Sequence, residues 1–272
     1  MDNPIQLLLE PDQLHSMLGQ PDLLLIDMTA DDHYRLAHLP GAVHLDFADI
    51  VSERPPTAGL LPDEKAFNRR MRALGLRQGM RVVVYDENNG LKACRLIWTL
   101  HCFGFDDASL LNGGLDAWQA AGLKLRSGRI QPIEGDIELR RTGAGVREAE
   151  AILDRLGRDD VVLLDARSAG EFKGVDVRAA RGGRIPGAVH YEWSRAQDVC
   201  DHYRFRPPAA LRDELGALGI TPDKEVIVYC QTHRRSCVSW FTLRRLLGFE
   251  KVYGYPGAWS DWGNRTDLPI ET

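Results

Sequence analysis

No apolar run in this sequence approaches the length of a membrane span. The longest, such as 23–26 and 82–85, fall far short of the ~20 residues that crossing a bilayer requires, so no membrane partner is expected. Excess basic charge is also missing. The net charge of −5 argues against a protein that coats nucleic acid, and any anion site must be local. The opening residues Met1-Asp2-Asn3-Pro4 carry neither a basic stretch nor an apolar one, which leaves a cytoplasmic location as the expectation. Cysteine is scarce: five residues, Cys94, Cys102, Cys200, Cys230 and Cys237, with no C-x-x-C. An odd, sparse set fits reduced thiols better than a disulfide framework or a zinc site. Low-complexity tracts are absent, and 44% apolar with 27% charged residues is ample for a packed core. At about 150 residues per domain, 272 residues suggest two domains, with one large domain also allowed.

A long internal repeat is present. Residues 73–118 match 217–262 without a gap at an offset of 144. Ala73-Leu74-Gly75 recurs as Ala217-Leu218-Gly219, Val82-Val83-Val84-Tyr85 as Val226-Ile227-Val228-Tyr229, and Trp118 as Trp262. Upstream, Asp27 pairs with Asp165, and Pro40-Gly41-Ala42-Val43-His44 returns as Pro186-Gly187-Ala188-Val189-His190 after an eight-residue insertion in the second copy. A unit above about 100 residues is a duplicated domain and not a solenoid repeat. The expected division is 1–124, a polar, Arg- and Gly-rich linker at 125–145, and 146–272. In each copy short apolar runs alternate with helical patterns, which predicts an α/β fold: a parallel sheet with helices on both faces. The repeated Pro-Gly reads as a structural turn. Trp118, Trp259 and Trp262 read as packing residues, and Asp27 and Asp165 as structural partners of loop backbone or arginine.

The copies differ in chemistry at one strand end. Tyr85 is followed by Asp86-Glu87-Asn88-Asn89-Gly90-Leu91-Lys92, whereas Tyr229 is followed by Cys230-Gln231-Thr232-His233-Arg234-Arg235-Ser236. Ligands of open parallel sheets gather at the carboxyl ends of strands. The next helix is expected to begin after Ser236, with its hydroxyl as N-cap. A six-residue loop wrapping onto a helix start would turn backbone N–H groups toward one point and favour an anion there. That field, with Arg234, Arg235 and His233 in the same loop, should lower the pKa of Cys230 from ~8.5 and hold it as the nucleophilic thiolate. Cys237, Cys94, Cys102 and Cys200 read as core residues. His233 fits a proton donor and a solvent-pointing loop residue equally well, and Arg235 is favoured over Arg234 because adjacent residues rarely face one pocket. A thiolate in such a cradle serves displacement on phosphorus or on sulfur. A phosphatase-type Cys-x5-Arg needs an arginine where this chain has Ser236.

Two tandem α/β copies, a Pro-Gly turn in each, and a cysteine-headed loop in the second alone resemble the rhodaneses, or thiosulfate sulfurtransferases, over essentially the whole chain. The loop Cys-Gln-Thr-His-Arg-Arg-Ser is most similar to that of bacterial tandem-domain members, while 3-mercaptopyruvate sulfurtransferases typically carry Cys-Gly-Ser-Gly-Val-Thr. The block Asp165-Ala166-Arg167-Ser168-Ala169-Gly170-Glu171-Phe172 also resembles the family. It departs at Glu171, where vertebrate rhodaneses and mercaptopyruvate enzymes have a substrate-gripping arginine; this argues against mercaptopyruvate as donor and leaves open the part of Arg178, Arg181 and Arg184. The resemblance implies two tandem rhodanese-like domains and a two-step transfer. Cys230 takes the outer sulfur of thiosulfate as a persulfide, sulfite leaves, and cyanide or another thiophile removes the sulfur. On that reading Arg235, with Arg234 and His233, attracts the dianion, while N–H groups from Gln231 to Ser236, and the Thr232 and Ser236 hydroxyls, hold the persulfide. No metal or organic cofactor is implied, the partners are small molecules, and a monomer is expected. The first copy, with Asp86 in the nucleophile's place, should be catalytically silent. The alternatives are a persulfide carrier that serves a protein partner, a mercaptopyruvate sulfurtransferase and a cysteine-dependent phosphatase.

Overall fold

The computed structural model describes residues 7–87 and 89–272; the N-terminal stretch 1–4 read above for a leader lies outside them. In chain order the elements are β1 (Leu8–Leu9), α1 (Pro11–Met17), β2 (Leu23–Asp27), α2 (Asp31–Leu36), β3 (Val43–His44), β4 (Ser52–Arg54), β5 (Thr57–Leu60), α3 (Glu64–Ala73), β6 (Arg81–Tyr85), α4 (Leu91–Cys102), β7 (Ala108–Leu111) and α5 (Gly114–Ala120). They continue as α6 (Ala149–Leu153), β8 (Val161–Asp165), α7 (Ala169–Phe172), β9 (Val189–His190), β10 (Gln197–Asp198), β11 (Arg204–Phe205), α8 (Pro208–Ala217), β12 (Glu225–Tyr229), α9 (Arg235–Trp240), β13 (Val252–Gly254) and α10 (Ala258–Trp262). A π-helical stretch, Phe241–Leu246, prolongs α9. Among the described residues no helix is long and apolar enough to cross a membrane.

The main sheets run β1-β7-β6-β2-β3 and β13-β12-β8-β9, and every strand pair in them is parallel. Alternate residues of a strand point to opposite faces. In the first sheet Leu25, Val83 and Tyr85 pack with Leu14 of α1 and Leu115 and Trp118 of α5. Their neighbours Leu24, Ile26, Val82 and Val84 are also buried, so both faces are covered, as the continuous apolar runs require. The second sheet buries Leu163, Ile227 and Tyr229 against Ile152 of α6 and Trp259 and Trp262 of α10.

The strand-end tyrosines tie the repeated turns down. The Tyr85 hydroxyl donates to Asp27 and accepts the Leu39 N–H at 3.0 Å; Tyr229 accepts the Ile185 N–H at 3.3 Å. Each tie holds the residue before a Pro-Gly, whose glycine is left-handed (Gly41 φ +85, Gly187 φ +74), so the repeated motif is structural.

The described chain forms two compact units that do not follow the linear halves. The first comprises the residues through Ile50, with Pro62–Thr142 and Asp198–Phe205; the second comprises Val51–Leu61, Gly143–Gln197 and Arg206–Thr272. The β4–β5 hairpin thus belongs to the second unit, and most of the β10–β11 segment to the first. In the second sheet β9 lies on one side of β8 and β12 on the other. Open parallel sheets bind ligands where the strand order reverses in this way, at the carboxyl ends of the strands, here those of β8 and β12.

Candidate active site around Cys230

Cys230 follows directly on β12 at that strand end and is 1% exposed. The chain then turns sharply: His233 adopts a left-handed conformation (φ +51), and α9 starts at Arg235. The turn aims the backbone N–H groups of Thr232 and Ser236, and the Ser236 hydroxyl, at the Cys230 sulfur. Burial works to raise the thiol pKa, but the Arg235 charge and these hydrogen bonds outweigh it, so the pKa lies below that of an ordinary thiol. The Cys230 and Gln231 carbonyls accept N–H bonds from Trp259 and Ser260 of α10, each at 2.9 Å.

Arg235 brings its positive charge to bear on the sulfur. Its Nη1 and Nη2 donate to the Glu171 carboxylate at 2.6 and 2.8 Å, a bidentate pair. Glu171 is 1% exposed. Burial would raise its pKa, yet Arg235 and Ser168 bring it down to about 2. A capping box at the start of α7 fixes this carboxylate, for Glu171 accepts from the Ser168 N–H and hydroxyl, both at 3.1 Å. Beside them Asp165 holds Arg167, which stacks 4.4 Å over Trp259. Asp165 is therefore the structural partner expected.

The structure brings Thr232, Ser236 and Arg235 to the sulfur and sets the other loop residues around it. Gln231 reaches outward and donates from Nε2 to the Arg178 carbonyl at 2.9 Å. His233 is fully buried, with Nδ1 2.8 Å from Ser236 Oγ, which excludes the solvent-pointing alternative. Arg234 takes the N-cap position of α9. Two expectations are corrected. Ser236 lies inside the first turn of α9 and is not its N-cap, because its hydroxyl is engaged with Cys230 and His233. Cys200 is exposed and not a core residue, since it sits in the turn between β10 and β11. Cys94, Cys102 and Cys237 are buried as expected.

Sequence reading missed the Glu171 pairing, because 64 residues separate the two partners. It also missed β4–β5. Gly59 (φ +75) lies so close to Thr232 that a Cβ would stand 2.1 Å from the Thr232 carbonyl oxygen. The Ala58 N–H donates to Ser260 Oγ at 3.0 Å. Of the insertion arginines, Arg181 caps the Trp262 and Leu268 carbonyls and Arg184 pairs with Glu271. Arg178, its side chain 62% exposed, has Nε 3.6 Å from Glu171. Among the described residues no three metal-ligating side chains gather.

The first copy builds a similar cradle around a different side chain. Asp86, 2% exposed, accepts N–H bonds from Gly90, Lys92 and Ala93 at 2.8, 2.7 and 2.9 Å. Lys92 is the counterpart of Ser236, and left-handed Asn89 (φ +59) that of His233. The Asp86 carbonyl accepts from Leu115, as that of Cys230 does from Trp259.

Known proteins share this architecture. The chain is 39% identical over 267 residues to a thiosulfate sulfurtransferase of Azotobacter vinelandii, covering 98% of this chain and 97% of that one. Its identity and coverage with a thiosulfate sulfurtransferase of Pseudomonas aeruginosa are the same. The crystal structure of a 3-mercaptopyruvate sulfurtransferase from Escherichia coli superposes with a TM-score of 0.82 at 28% identity, over 94% of this chain and 99% of that one. The rhodanese-like domain matches twice, at residues 10–121 and 148–265, and the chain belongs to that family as a tandem of two such domains.

Proposed function

We propose that this protein is a thiosulfate sulfurtransferase with Cys230 as its sulfur carrier. The observation that supports this reading is a buried thiol at a strand end, faced by the Arg235 guanidinium and hydrogen-bonded by the Ser236 hydroxyl and two loop N–H groups, all of which favour its thiolate. The Cys230 thiolate attacks the outer sulfur of thiosulfate. The S–S bond of the donor breaks, sulfite leaves with the electron pair, and the new persulfide anion takes the place of the thiolate among the Thr232 and Ser236 N–H groups. A thiophile such as cyanide then attacks the terminal sulfur, forms thiocyanate and restores the thiolate. Arg235 balances charge in both steps. His233 acts through Ser236, whose hydroxyl it orients, while Gln231 and Arg234 line the loop's outer side. Asp86 fills the first copy's cradle, so that copy is silent. The protein is taken to act as a cytoplasmic monomer.

Phosphatase chemistry fits less well, because both Nη groups of Arg235 already hold Glu171 and no fork is left for a phosphate. Mercaptopyruvate is the poorer donor on this reading, since Glu171 is buried and paired where a carboxylate-gripping arginine would be needed. Protein incubated with thiosulfate should gain the mass of one sulfur atom on the Cys230 peptide and lose it with cyanide. Cys230→Ala should make no thiocyanate above background; turnover at the wild-type rate in that variant would refute the assignment.

A further inference from the structure

Glu171 is a buried carboxylate that the sulfur-transfer steps do not use. Its back is fixed by the Ser168 N–H and hydroxyl, its front by the Arg235 fork, and its flank by Arg178. The result is a rigid row of anchored carboxylate, guanidinium and sulfur. The first copy supplies an internal control. At the offset of 138 that relates Asp27 to Asp165, Glu171 falls on His33; at the offset of 144, Arg235 falls on Leu91. The copy with Asp86 in place of Cys230 has neither member of the pair.

A lone guanidinium against a buried thiolate would stabilise it strongly, but a thiolate's intrinsic nucleophilicity falls with its pKa, with a Brønsted coefficient of about 0.4–0.5. We propose that Glu171 is a positioning residue for Cys230, acting through Arg235: it fixes the guanidinium in place and offsets part of its charge, so that the sulfur stays ionised yet reactive. This rests on the reading of Cys230 as sulfur carrier. The other charged or titratable groups around the row are Arg178 beside Glu171, Arg167 closed by Asp165, His233 behind Ser236 and Arg234 at the start of α9. Glu171 stays ionised across the working range, so its effect is constant and not a switch.

The test is the pH dependence of Cys230 alkylation by iodoacetamide, read on the Cys230 peptide by mass, with single-turnover sulfur uptake from thiosulfate alongside. In Glu171→Gln the alkylation midpoint should fall by about one pH unit, and attack by the fully formed thiolate should slow about three-fold. Glu171→Asp keeps the charge but draws the guanidinium back by one methylene, and its midpoint should rise. If Glu171 only anchored Arg235 without offsetting its charge, loss of the grip would raise the midpoint in Glu171→Gln, and if it merely filled space the midpoint would not move; a raised or unchanged midpoint there overturns the proposal. Should the Gln variant not fold, an Asp midpoint at or below wild type overturns it equally. Failure of the wild-type protein to take up sulfur, with these midpoint shifts intact, would sink the sulfur-carrier reading and leave the role of Glu171 standing.

Discussion

At the scale of single residues, the two copies set different side chains, Cys230 and Asp86, at matching strand ends, and that separates the contributions to Cys230. Asp86→Cys would place a thiol in the matching loop, where the Lys92 N–H is the counterpart of the Ser236 N–H and Leu91 stands in place of an arginine. Its alkylation midpoint should fall between a free thiol near 8.5 and Cys230, and a midpoint equal to that of Cys230 would show that Arg235 adds nothing. Asp86→Ala should cost on the order of 2–3 kcal/mol by urea unfolding, because three N–H groups lose a charged acceptor. Glu171 gives a pH signature. Its folded pKa of about 2 lies below the ordinary value of 4.5, so its pairing stabilises the fold above about 4.5, and that contribution is lost as pH falls toward 2. The gap in urea midpoint between wild type and Glu171→Gln should therefore be full near neutral pH and shrink below about 4.5; a gap constant down to pH 2 would contradict the pairing. The cysteine, its arginine and the serine were legible in the sequence because they lie within seven consecutive residues. Glu171 stood out there only as a departure from a resemblance, since nothing local ties it to Arg235.

At the scale of elements, the β4–β5 hairpin lies directly against the Cys230 loop. Gly59 leaves no room for a side chain against Thr232, whose N–H serves Cys230, and its positive φ disfavours any L residue. Gly59→Ala should lower sulfur-transfer activity about ten- to a hundred-fold by displacing the loop, with a fall in thermal midpoint alongside. Full activity with an unchanged midpoint would mean that the hairpin is passive. The strands themselves were easy to read: 23–26, 82–85, 161–164 and 226–229 are continuous apolar runs, and each became a strand extended by one residue or fewer at either end. The start of α9 was not, because a serine at a helix start is a strong N-cap signal, and only the fold shows that its hydroxyl is taken by Cys230 and His233.

At the scale of the whole molecule, each compact unit counts among its residues a segment from the other copy. Ala58 is bonded to Ser260 in one unit. In the other, the Phe205 N–H donates to Asn112 Oδ1 at 2.9 Å, and Arg204 pairs with Glu10. Residues 146–272 expressed alone should accordingly lose most sulfur-transfer activity and unfold at lower denaturant than the full chain, and supplying residues 1–145 in trans should restore part of it. Unimpaired activity of the isolated second copy would show that Val51–Leu61 is dispensable. The repeat, the parallel α/β architecture and Cys230 as the candidate sulfur carrier were determined by the sequence itself, because apolar runs and a six-residue loop are local patterns. The partner that holds Arg235, the burial of His233 and the exchange of hairpins were decided only in three dimensions, where residues 64 or about 200 positions apart in the chain come within hydrogen-bonding distance and no local pattern records that they do.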